Sequence, residues 1–280
     1  MSLWYTETFE ERLRVGLRVE RTLFTGQSEY QRVEIFETRL FGKALAIDGI
    51  FMTSVVDEAD YHELLVHPAL CTAPRIENVL IIGGGDGGTA REVLAHPEVK
   101  RCVLVEIDGM VVEASKEHLP EIGTAWDDPR LEVRIEDGVA YAAQAAPGSF
   151  DVVLLDGSDP VGPAEGLFGE SFYRSVGRVL GDDGVFALQS ESPLLFEPVF
   201  YETQASLRKV FGRAFPYFRS VPLYGTGDWS WTYASRSADP LAIVEDRAER
   251  IEAQSRVYNR ELHRGVFAVP QAIRRRLAAL

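Results

Sequence analysis

Short runs in which apolar residues predominate divide much of the chain into predicted strands. The clearest runs lie at residues 79–82, 102–105, 131–135 and 152–155. A strand that is buried on both faces of a parallel sheet is apolar throughout, whereas a half-buried strand alternates. Stretches of helical length separate these runs, at residues 89–95, 110–119 and 139–146. This alternation predicts βαβ units, and therefore a Rossmann-like, doubly wound, mostly parallel α/β sheet.

The first part of the chain follows a different pattern, in which apolar and polar residues alternate. The alternation is clearest at residues 30–36 and 43–47, and Asp48-Gly49 stands between two apolar runs. An Asp-Gly pair at such a position is a hairpin signal, so residues 1–56 are predicted to form a small antiparallel β domain. Residues 57–280 would then form the second, larger domain.

Helix signals follow directly after this boundary. Asp57 offers an N-cap for a helix that leads into the larger domain, although Pro68 and Pro74 leave its end undefined. Later segments extend the predicted sheet at residues 185–188, 214–221 and 229–235, with a helix at residues 195–211. Residues 243–280 are mixed and charged, and no element is predicted there.

Composition and charge narrow the range of partners. The 280 residues are 46% hydrophobic and 26% charged, values typical of globular proteins, with 29 basic and 43 acidic residues and a net charge of −14. A negative surface disfavours nucleic acid and anionic lipid as partners. Two cysteines in apolar surroundings favour a reducing, cytoplasmic setting, and the sequence contains no run of 18 apolar residues that would predict a membrane span.

A glycine-rich loop follows the first apolar run. Residues 83–88 read GGGDGG, and glycine permits a tight turn and a close approach between backbone and ligand. Gly83, Gly85 and Gly88 match the spacing of dinucleotide-binding loops, so the loop alone does not separate a nicotinamide enzyme from one that binds an adenosyl-sulfonium compound. Asp86 would compete with a pyrophosphate beside the helix N-terminus, and it therefore favours a cationic ligand.

Acidic residues also follow the other predicted strands. Glu106 ends the second run, Asp137 follows the third, and Asp156 and Asp159 follow the fourth. The carboxyl edge of an open α/β sheet is where ligands bind, so four strands deliver acids to one ligand-binding edge. Asp156 and Asp159 could bind a metal, act as a general base or hold an ammonium group, and metal is the least favoured because no nearby residue completes an oxygen cage.

These motifs resemble those of the polyamine aminopropyltransferases, and most closely those of the bacterial spermidine synthases. The resemblance rests on the glycine loop, on VEID at residues 105–108, on DGSDP at residues 156–160 with GPAEGLF at residues 162–168, and on YHE at residues 61–63. It also takes in residues 30–31, 45–49 and 258–259, so it covers nearly the whole chain. The Asp-x-x-Asp-Pro-x-Gly-Pro-Ala block is its most specific part.

The resemblance implies a reaction and a set of partners. An aminopropyl group would pass from decarboxylated S-adenosylmethionine, as co-substrate, to putrescine, which gives spermidine and methylthioadenosine. The family also implies a methyltransferase-like fold, a homodimer or homotetramer, and neither a cofactor nor a metal.

The resemblance assigns roles to individual residues of this sequence. Asp156 matches the proton acceptor. The residues that match contacts to the donor or to methylthioadenosine are Gln31, Gly83, Gly85, Glu106, Asp137, Gly138 and Pro163. The residues that match positions around the amine chains are Tyr61, His62, Asp86, Asp156, Asp159 and Tyr224.

Other readings remain open from the sequence. Residues 224–231 depart from the common family pattern, so the acceptor amine could be spermidine, cadaverine or agmatine. An S-adenosylmethionine-dependent methyltransferase and a non-catalytic binding protein for polyamines or nucleosides are the rivals, and a nicotinamide dehydrogenase ranks last because of Asp86.

Overall fold

The N-terminal part of the chain forms an antiparallel sheet. The structure is a computed structural model that describes residues 3–9, 11–159 and 162–280. Within these residues a five-stranded sheet has the order β1-β2-β3-β4-β5. Its strands are β1 (Leu3–Phe9), β2 (Leu13–Gln27), β3 (Arg32–Thr38), β4 (Gly42–Ile47) and β5 (Ile50–Ser54). Asp48 and Gly49 join the last two with positive φ angles of 49° and 90°, so the predicted hairpin is present.

A larger sheet follows, and it carries the parallel strands that the apolar runs predict. In the described residues it has seven strands in the order β11-β12-β10-β9-β6-β7-β8. These strands are β6 (Asn78–Gly83), β7 (Arg101–Glu106), β8 (Leu131–Ile135), β9 (Phe150–Asp156), β10 (Leu180–Gln189), β11 (Ala214–Ser220) and β12 (Asp228–Ala234). Strands β6 to β10 pair in parallel, whereas β12 is antiparallel to both neighbours. The fold class predicted from the sequence is confirmed.

Helices cover both faces at the centre of this sheet, which explains why β6 and β9 are largely apolar; the edge strand β8, with Glu132 and Arg134, is half exposed. Val79 and Ile81 belong to one buried cluster, while Leu80 and Ile82 belong to another on the opposite face. The helices are α1 (Glu58–Leu70), α2 (Gly88–Leu94), α3 (Gly109–His118), α4 (Gly138–Gln144), α5 (Glu170–Val179), α6 (Glu197–Phe211), α7 (Glu245–Glu252), α8 (Arg260–Val266) and α9 (Gln271–Leu277). Strand order reverses at β6, which has β7 on one side and β9 on the other, and such a switch point creates a crevice at the carboxyl ends of the strands.

Helix α1 continues through Pro68 because its broken hydrogen bond is replaced. Proline has no N–H, so the Leu64 carbonyl loses its helical partner. The hydroxyl of Tyr217 donates to that carbonyl at 2.9 Å. A buried carbonyl that keeps a partner avoids a cost of about 1–3 kcal/mol, and the helix therefore reaches Leu70.

Asp57 is the N-cap residue of α1, as the sequence predicts, but the cap is not made by its side chain. Its carboxylate accepts instead the Ser54 hydroxyl at 2.5 Å and the backbone N–H of Leu223 at 2.7 Å. The side chain thus joins the end of the N-terminal sheet to the segment that precedes β12.

The C-terminal segment and one internal segment hold helices that the sequence pattern did not predict. Helices α7, α8 and α9 lie within residues 243–280, and α5 lies between β9 and β10. The Arg247 guanidinium fastens the tail to the end of α1, because it donates to the carbonyls of Leu70 and Ala73. The division into domains at residues 56 and 57 stays a prediction.

Two further expectations concern the surroundings of the chain. Cys71 and Cys102 are both buried, and each is a free thiol. Among the helices of the described segments, none combines the length and the apolar character that crossing a lipid bilayer requires.

The turn after β6 leads to a prediction about backbone space. Gly83 and Gly212 have similar φ angles of 82° and 78°, but a Cβ at Gly83 would lie 2.1 Å from the Asp156 carbonyl oxygen, whereas one at Gly212 would meet nothing within 4 Å. We expect Gly212→Ala to lower the free energy of unfolding by about 1–2 kcal/mol, the cost of the left-handed conformation alone. Gly83→Ala should cost clearly more, and urea denaturation measures both. Equal losses would contradict the close approach.

Candidate active site

A cavity of about 1150 Å³, open to solvent, lies at the carboxyl ends of β6, β7 and β9. The N-terminal sheet supplies its opposite wall through residues of β1, β4 and β5. Such a cleft at a strand-order reversal is where doubly wound folds bind ligands. The described lining residues that the sequence analysis selects are Gln31, Tyr61, Gly83, Gly85, Asp86, Glu106, Asp137, Gly138, Asp156, Asp159 and Tyr224.

The glycine turn brings backbone directly against the end of β9. Gly83 and Gly84 have φ angles of 82° and 75°, which other residues rarely adopt. The Gly84 N–H donates to the Asp156 carbonyl at 2.9 Å, and a Cβ at Gly84 would lie 2.9 Å from Asp156 Oδ2. Only residues without side chains leave room for the Asp156 carboxylate beside this turn.

One end of the cavity is suited to a nucleoside. Glu106 ends β7, and its Oε1 accepts the N–H of Asp108 at 3.0 Å. Burial raises the pKa of Glu106 to about 7. The Ser28 hydroxyl donates to Asp108 at 2.7 Å and also accepts the Gln31 N–H at 3.1 Å, so this turn of the N-terminal sheet places Gln31 beside Glu106. A carboxyl group here can accept the adjacent hydroxyls of a ribose.

The next strand end adds a further acid to the same side. Asp137 is the N-cap of α4, and its Oδ1 accepts the N–H groups of Val139 and Ala140 at 2.8 and 3.3 Å. Gly138 follows, where a Cβ would lie 2.4 Å from Cγ2 of Ile82. The absence of a side chain at Gly138 therefore lets α4 begin close to β6.

Asp86 and Asp156 form a pair of carboxyl groups whose surroundings act in opposite directions. Burial would raise the pKa of Asp86, but the His62 ring and the Gly88 N–H outweigh it and hold that pKa below its ordinary value. Burial and the neighbouring Asp86 raise the pKa of Asp156. Oxygens of the two carboxyls lie within 4.8 Å of each other. Paired acids whose pKa values are driven apart are typical of sites that move a proton.

Two hydroxyls fix the orientation of the Asp156 carboxylate. Tyr61 donates to Oδ1 at 2.8 Å, and Thr89 donates to Oδ2 at 2.6 Å. Each carboxylate oxygen has a further lone pair, so one can still accept from a ligand. Asp156 is therefore held in one position at the end of β9 and remains able to take up a proton.

A second group of acids, the far group, consists of Glu7, Asp159 and Glu191, of which Glu7 and Asp159 line the cavity and Glu191 is buried behind Asp159. Glu7 on β1 is 3% exposed, accepts the Phe51 N–H at 3.1 Å, and has a pKa that burial raises to about 8. Burial likewise raises the pKa of Asp159 to about 6. Glu191 is fully buried against Asp159, and burial together with the Asp159 charge raises its pKa well above the ordinary value. No described cation neutralises this group, so it is suited to a cationic ligand.

Aromatic rings form part of the cavity wall. Tyr224 and Trp229 meet edge to face with centroids 4.6 Å apart, and Phe9 meets Phe196 in the same way at 6.1 Å. All four rings line the cavity. Trp231 belongs with Trp229 to the segment of residues 224–231, but it is fully buried against Tyr217. Aromatic faces attract both methylene groups and cations, so this wall suits an alkyl ammonium chain.

Two of the selected residues lie elsewhere or outside the description. His62 is 1% exposed and lies behind Asp86, and it is not one of the described lining residues. Pro163 belongs to a 3₁₀ turn (Gly162–Leu167), but its side chain lies outside the described part of the chain, as does Pro160.

His62, Asp86 and Asp156 also place one possible metal ligand each within 4.8 Å of the others. Both ring nitrogens of His62 already face carboxylates, at 2.8 Å to Glu58 and 3.3 Å to Asp86. A metal would have to displace one of them. That no metal binds here stays a prediction.

Sequence reasoning missed two acids of the far group. Glu191 lies two residues beyond the carboxyl end of β10, so the rule that selected Asp156 and Glu106 also applies to it. Its positive φ of 67° is unusual for a glutamate and marks a constrained backbone. Glu7 gave no comparable signal, because an acid in an alternating strand is ordinarily a solvated residue.

Comparison with protein-family models identifies both parts of the chain. Residues 58–244 match the spermine/spermidine synthase domain, and residues 3–54 match the spermidine synthase tetramerisation domain. The chain belongs to the spermine/spermidine synthase family. The resemblance noted from the sequence motifs is thereby confirmed, and the chain is an enzyme of the polyamine aminopropyltransferase class.

Individual relatives of this family are similar over nearly the whole chain. A polyamine aminopropyltransferase of Prochlorococcus marinus (strain MIT 9313) is 47% identical over 271 residues, covering 95% of this chain and 93% of the relative. Polyamine aminopropyltransferase 1 of Bacillus cereus is 41% identical over 273 residues, covering 98% of each chain.

Solved structures of the family share the fold. A spermidine synthase in complex with the transition-state analogue AdoDATO superposes with a TM-score of 0.96 at 36% identity, covering 99% of this chain and 96% of that one. The spermidine synthase of Thermotoga maritima superposes with a TM-score of 0.94 at 36% identity, covering 99% and 95%.

The raised pKa of Glu7 predicts a pH-dependent stability. The folded state keeps a proton on Glu7 that the unfolded state releases, so the contribution is complete below about pH 4.5 and is lost as the pH rises to about 8. We expect Glu7→Gln to gain stability relative to wild type across this range, by a few kcal/mol at about 1.4 kcal/mol per pKa unit. Melting temperatures of the ligand-free proteins at several pH values measure it.

The control is Glu252→Gln. The ion pair with Arg260 lowers the pKa of Glu252, so the effect of its titration on stability lies below pH 4.5 and outside the range over which Glu7 titrates. Its curve should run parallel to that of the wild type. A parallel curve for Glu7→Gln as well would contradict the assignment.

Proposed function

We propose that the enzyme transfers the aminopropyl group of decarboxylated S-adenosylmethionine to putrescine, giving spermidine and methylthioadenosine. The observation that carries the proposal is the charge of the cavity. Its described lining residues include six carboxyl groups and no lysine, arginine or histidine. The six are Glu7, Asp86, Glu106, Asp137, Asp156 and Asp159. A lining of acids without a protein cation suits a cationic donor and a dicationic acceptor, because a bound cation favours the ionised form of each acid.

The two ends of the cavity divide these acids between the substrates. Glu106, Asp137 and Gln31 line the cavity, and in this proposal they contact the adenosine part of the donor. Asp86 then lies where the ammonium of the aminopropyl chain would reach. The same charge would repel the carboxylate of ordinary S-adenosylmethionine, so Asp86 favours the decarboxylated donor.

The transfer step requires a neutral amine. The nitrogen of the acceptor attacks the methylene group next to the sulfonium, a C–N bond forms, and the C–S bond breaks to leave methylthioadenosine. An alkyl ammonium with a pKa of about 10 must first lose its proton, at a cost of roughly 4 kcal/mol at pH 7. The hydroxyls of Tyr61 and Thr89 hold the Asp156 carboxylate in position. Its raised pKa makes Asp156 a better proton acceptor at that pH than an ordinary carboxylate.

The far group of acids would bind the second nitrogen of the acceptor. Glu7, Asp159 and Glu191 cluster without a described cation, and Tyr224, which packs against Trp229, faces both Asp156 and Asp159. A diamine would lay its methylene groups along these rings. Its distant ammonium would then lie among the acids, while its near amine faces Asp156.

The comparisons support the substrates and the assembly. The solved spermidine synthase that this chain resembles was crystallised with a transition-state analogue, AdoDATO. We infer that the chain forms a homo-oligomer through its N-terminal sheet, because that segment matches a tetramerisation domain and its first strand exposes about 60% of Leu3 and 59% of Trp4. Two buried free cysteines fit a cytoplasmic enzyme.

The proposal predicts the outcome of an assay with several amines. Methylthioadenosine release from decarboxylated S-adenosylmethionine should be fastest with putrescine, because two ammonium groups and a short chain match the two groups of acids. Chromatography of the products with putrescine, cadaverine, agmatine and spermidine measures the preference. If another amine is preferred, aminopropyl transfer is supported and putrescine is not the acceptor. Methyl transfer from S-adenosylmethionine, or binding of amines without release, would refute the proposal.

The proton acceptor can be tested by a single substitution. Asp156→Asn keeps the shape of the side chain but removes its basicity, so kcat should fall about 10²- to 10⁴-fold. The variant should still bind methylthioadenosine with an affinity close to that of wild type, which calorimetry measures as a control for folding. Retention of the wild-type kcat would remove Asp156 from the mechanism.

A further inference from the structure

Buried charges lie between α1 and α2, behind the wall of the cavity. Glu58 and His62 are one turn apart on α1, with 3% and 1% of their surface exposed. His62 Nδ1 lies 2.8 Å from Glu58 Oε2, and its Nε2 lies 3.3 Å from Asp86 Oδ2. Each ring nitrogen therefore faces a carboxylate. The ring is separated from the cavity by Asp86, and it acts on a ligand only through that residue.

The backbone of α2 holds this ring in one orientation. A Cβ at Gly88 would lie 2.3 Å from Cε1 of His62, so the ring packs directly on the start of the helix. The Tyr61 ring meets it edge to face at 5.3 Å from the other direction. The imidazole is thus packed between α2 and Tyr61, with its nitrogens directed at Glu58 and Asp86.

Cations keep Glu58 ionised. Arg91 Nη2 lies 2.6 Å from Glu58 Oε2, and Arg256 Nη1 lies 2.8 Å from Oε1. Burial opposes ionisation of Glu58, but His62 and Arg91 outweigh burial and lower its pKa. A permanent anion beside Nδ1 favours a proton on that nitrogen.

Glu58 affects the ionisation of Asp86 through the imidazole of His62. Burial would lower the pKa of His62, but Asp86 and Glu58 together raise it well above its ordinary value. The other charged or titratable groups that face His62 and Asp86 are Asp156 at the end of β9, Tyr61 on α1, Arg91 on α2 and Tyr224 in the turn before β12. Of these groups, Asp156 opposes the ionisation of Asp86 because both carry negative charge. The positive charge of the His62 imidazolium offsets this repulsion.

We propose that Glu58 is a positioning residue for the transfer reaction, which acts through His62 to keep Asp86 ionised and fixed at the wall of the cavity. The inference rests on the proposed function, in which Asp86 holds the ammonium of the donor. When Glu58 loses its charge, His62 binds its second proton less tightly. Asp86, facing Asp156 without a full positive charge behind it, then takes up a proton at higher pH and no longer attracts the donor.

The test is Glu58→Gln in the full-length enzyme. The KM for decarboxylated S-adenosylmethionine should rise about tenfold at pH 7, the equivalent of one weakened charge-assisted contact, while kcat at saturating donor changes little. The acid limb of the kcat/KM profile for the donor should move to higher pH. A merely structural role would lower the melting temperature without moving that limb.

Glu63→Gln is the matched control. Glu63 lies on the same helix and is 2% exposed, but its carboxylate accepts the backbone N–H groups of Arg256, Val257 and Tyr258. This variant should lose stability and keep both the donor KM and the acid limb of the wild type. If Glu58→Gln does not fold, His62→Gln provides the second variant, because its amide can still donate to Asp86 but carries no charge, and it should shift the same limb.

A measurement without substrates separates this inference from the proposed function. In ¹⁵N-histidine-labelled wild type, the His62 signals should report a doubly protonated ring at pH 7.5, and Glu58→Gln should lower the pH at which that ring titrates. If wild type releases no methylthioadenosine with any amine, the proposed function fails while the titration still tests the coupling. An unchanged His62 titration and an unchanged acid limb in Glu58→Gln would overturn the inference.

Discussion

The contact between the glycine turn and the end of β9 is the constraint on which the site depends. Gly83 and Gly84 bring backbone so close to Asp156 that a Cβ at Gly83 would lie 2.1 Å from its carbonyl oxygen. Because β6 and β9 are neighbours at the point where strand order reverses, this contact puts the glycine loop and the Asp156 carboxylate side by side. Asp86 belongs to that loop, so the spacing of the two carboxyls follows from the backbone.

The cavity combines acids that folding alone would not bring together. Burying a carboxyl group without a cation costs free energy, and Glu7, Glu106 and Asp159 respond with raised pKa values. Other buried acids have partners: Asp151 pairs with Arg75 at 2.5 Å, and Asp57 and Glu63 accept backbone N–H groups. The unpaired acids therefore coincide with the place where a cationic substrate would supply the missing charge. These buried acids lower the free energy of unfolding, and the apolar clusters on the two faces of the sheet offset that loss.

The sequence predicts those parts of the molecule that depend on local pattern. Strands β6, β7 and β9 are buried on both faces, so their apolar runs identify them, whereas β8 is a half-exposed edge strand; the acids that follow all four reach one edge. Long-range contacts are outside such reasoning. The carboxylate of Asp57 was expected to cap α1 but binds Leu223, which lies far along the chain. Glu7 is buried only because its strand faces the cavity, and His62 lies behind Asp86 because Gly88 leaves room for its ring.

The raised pKa of Glu7 has a consequence for how ligand binding would be measured. At pH 7 a carboxyl group with a pKa of about 8 is mostly protonated in the empty cavity. An ammonium that docks beside it favours the ionised form, and the displaced proton passes to the solvent. Heats of binding would therefore include the ionisation enthalpy of the buffer, and titrations in phosphate and in Tris would disagree by an amount that counts the protons released.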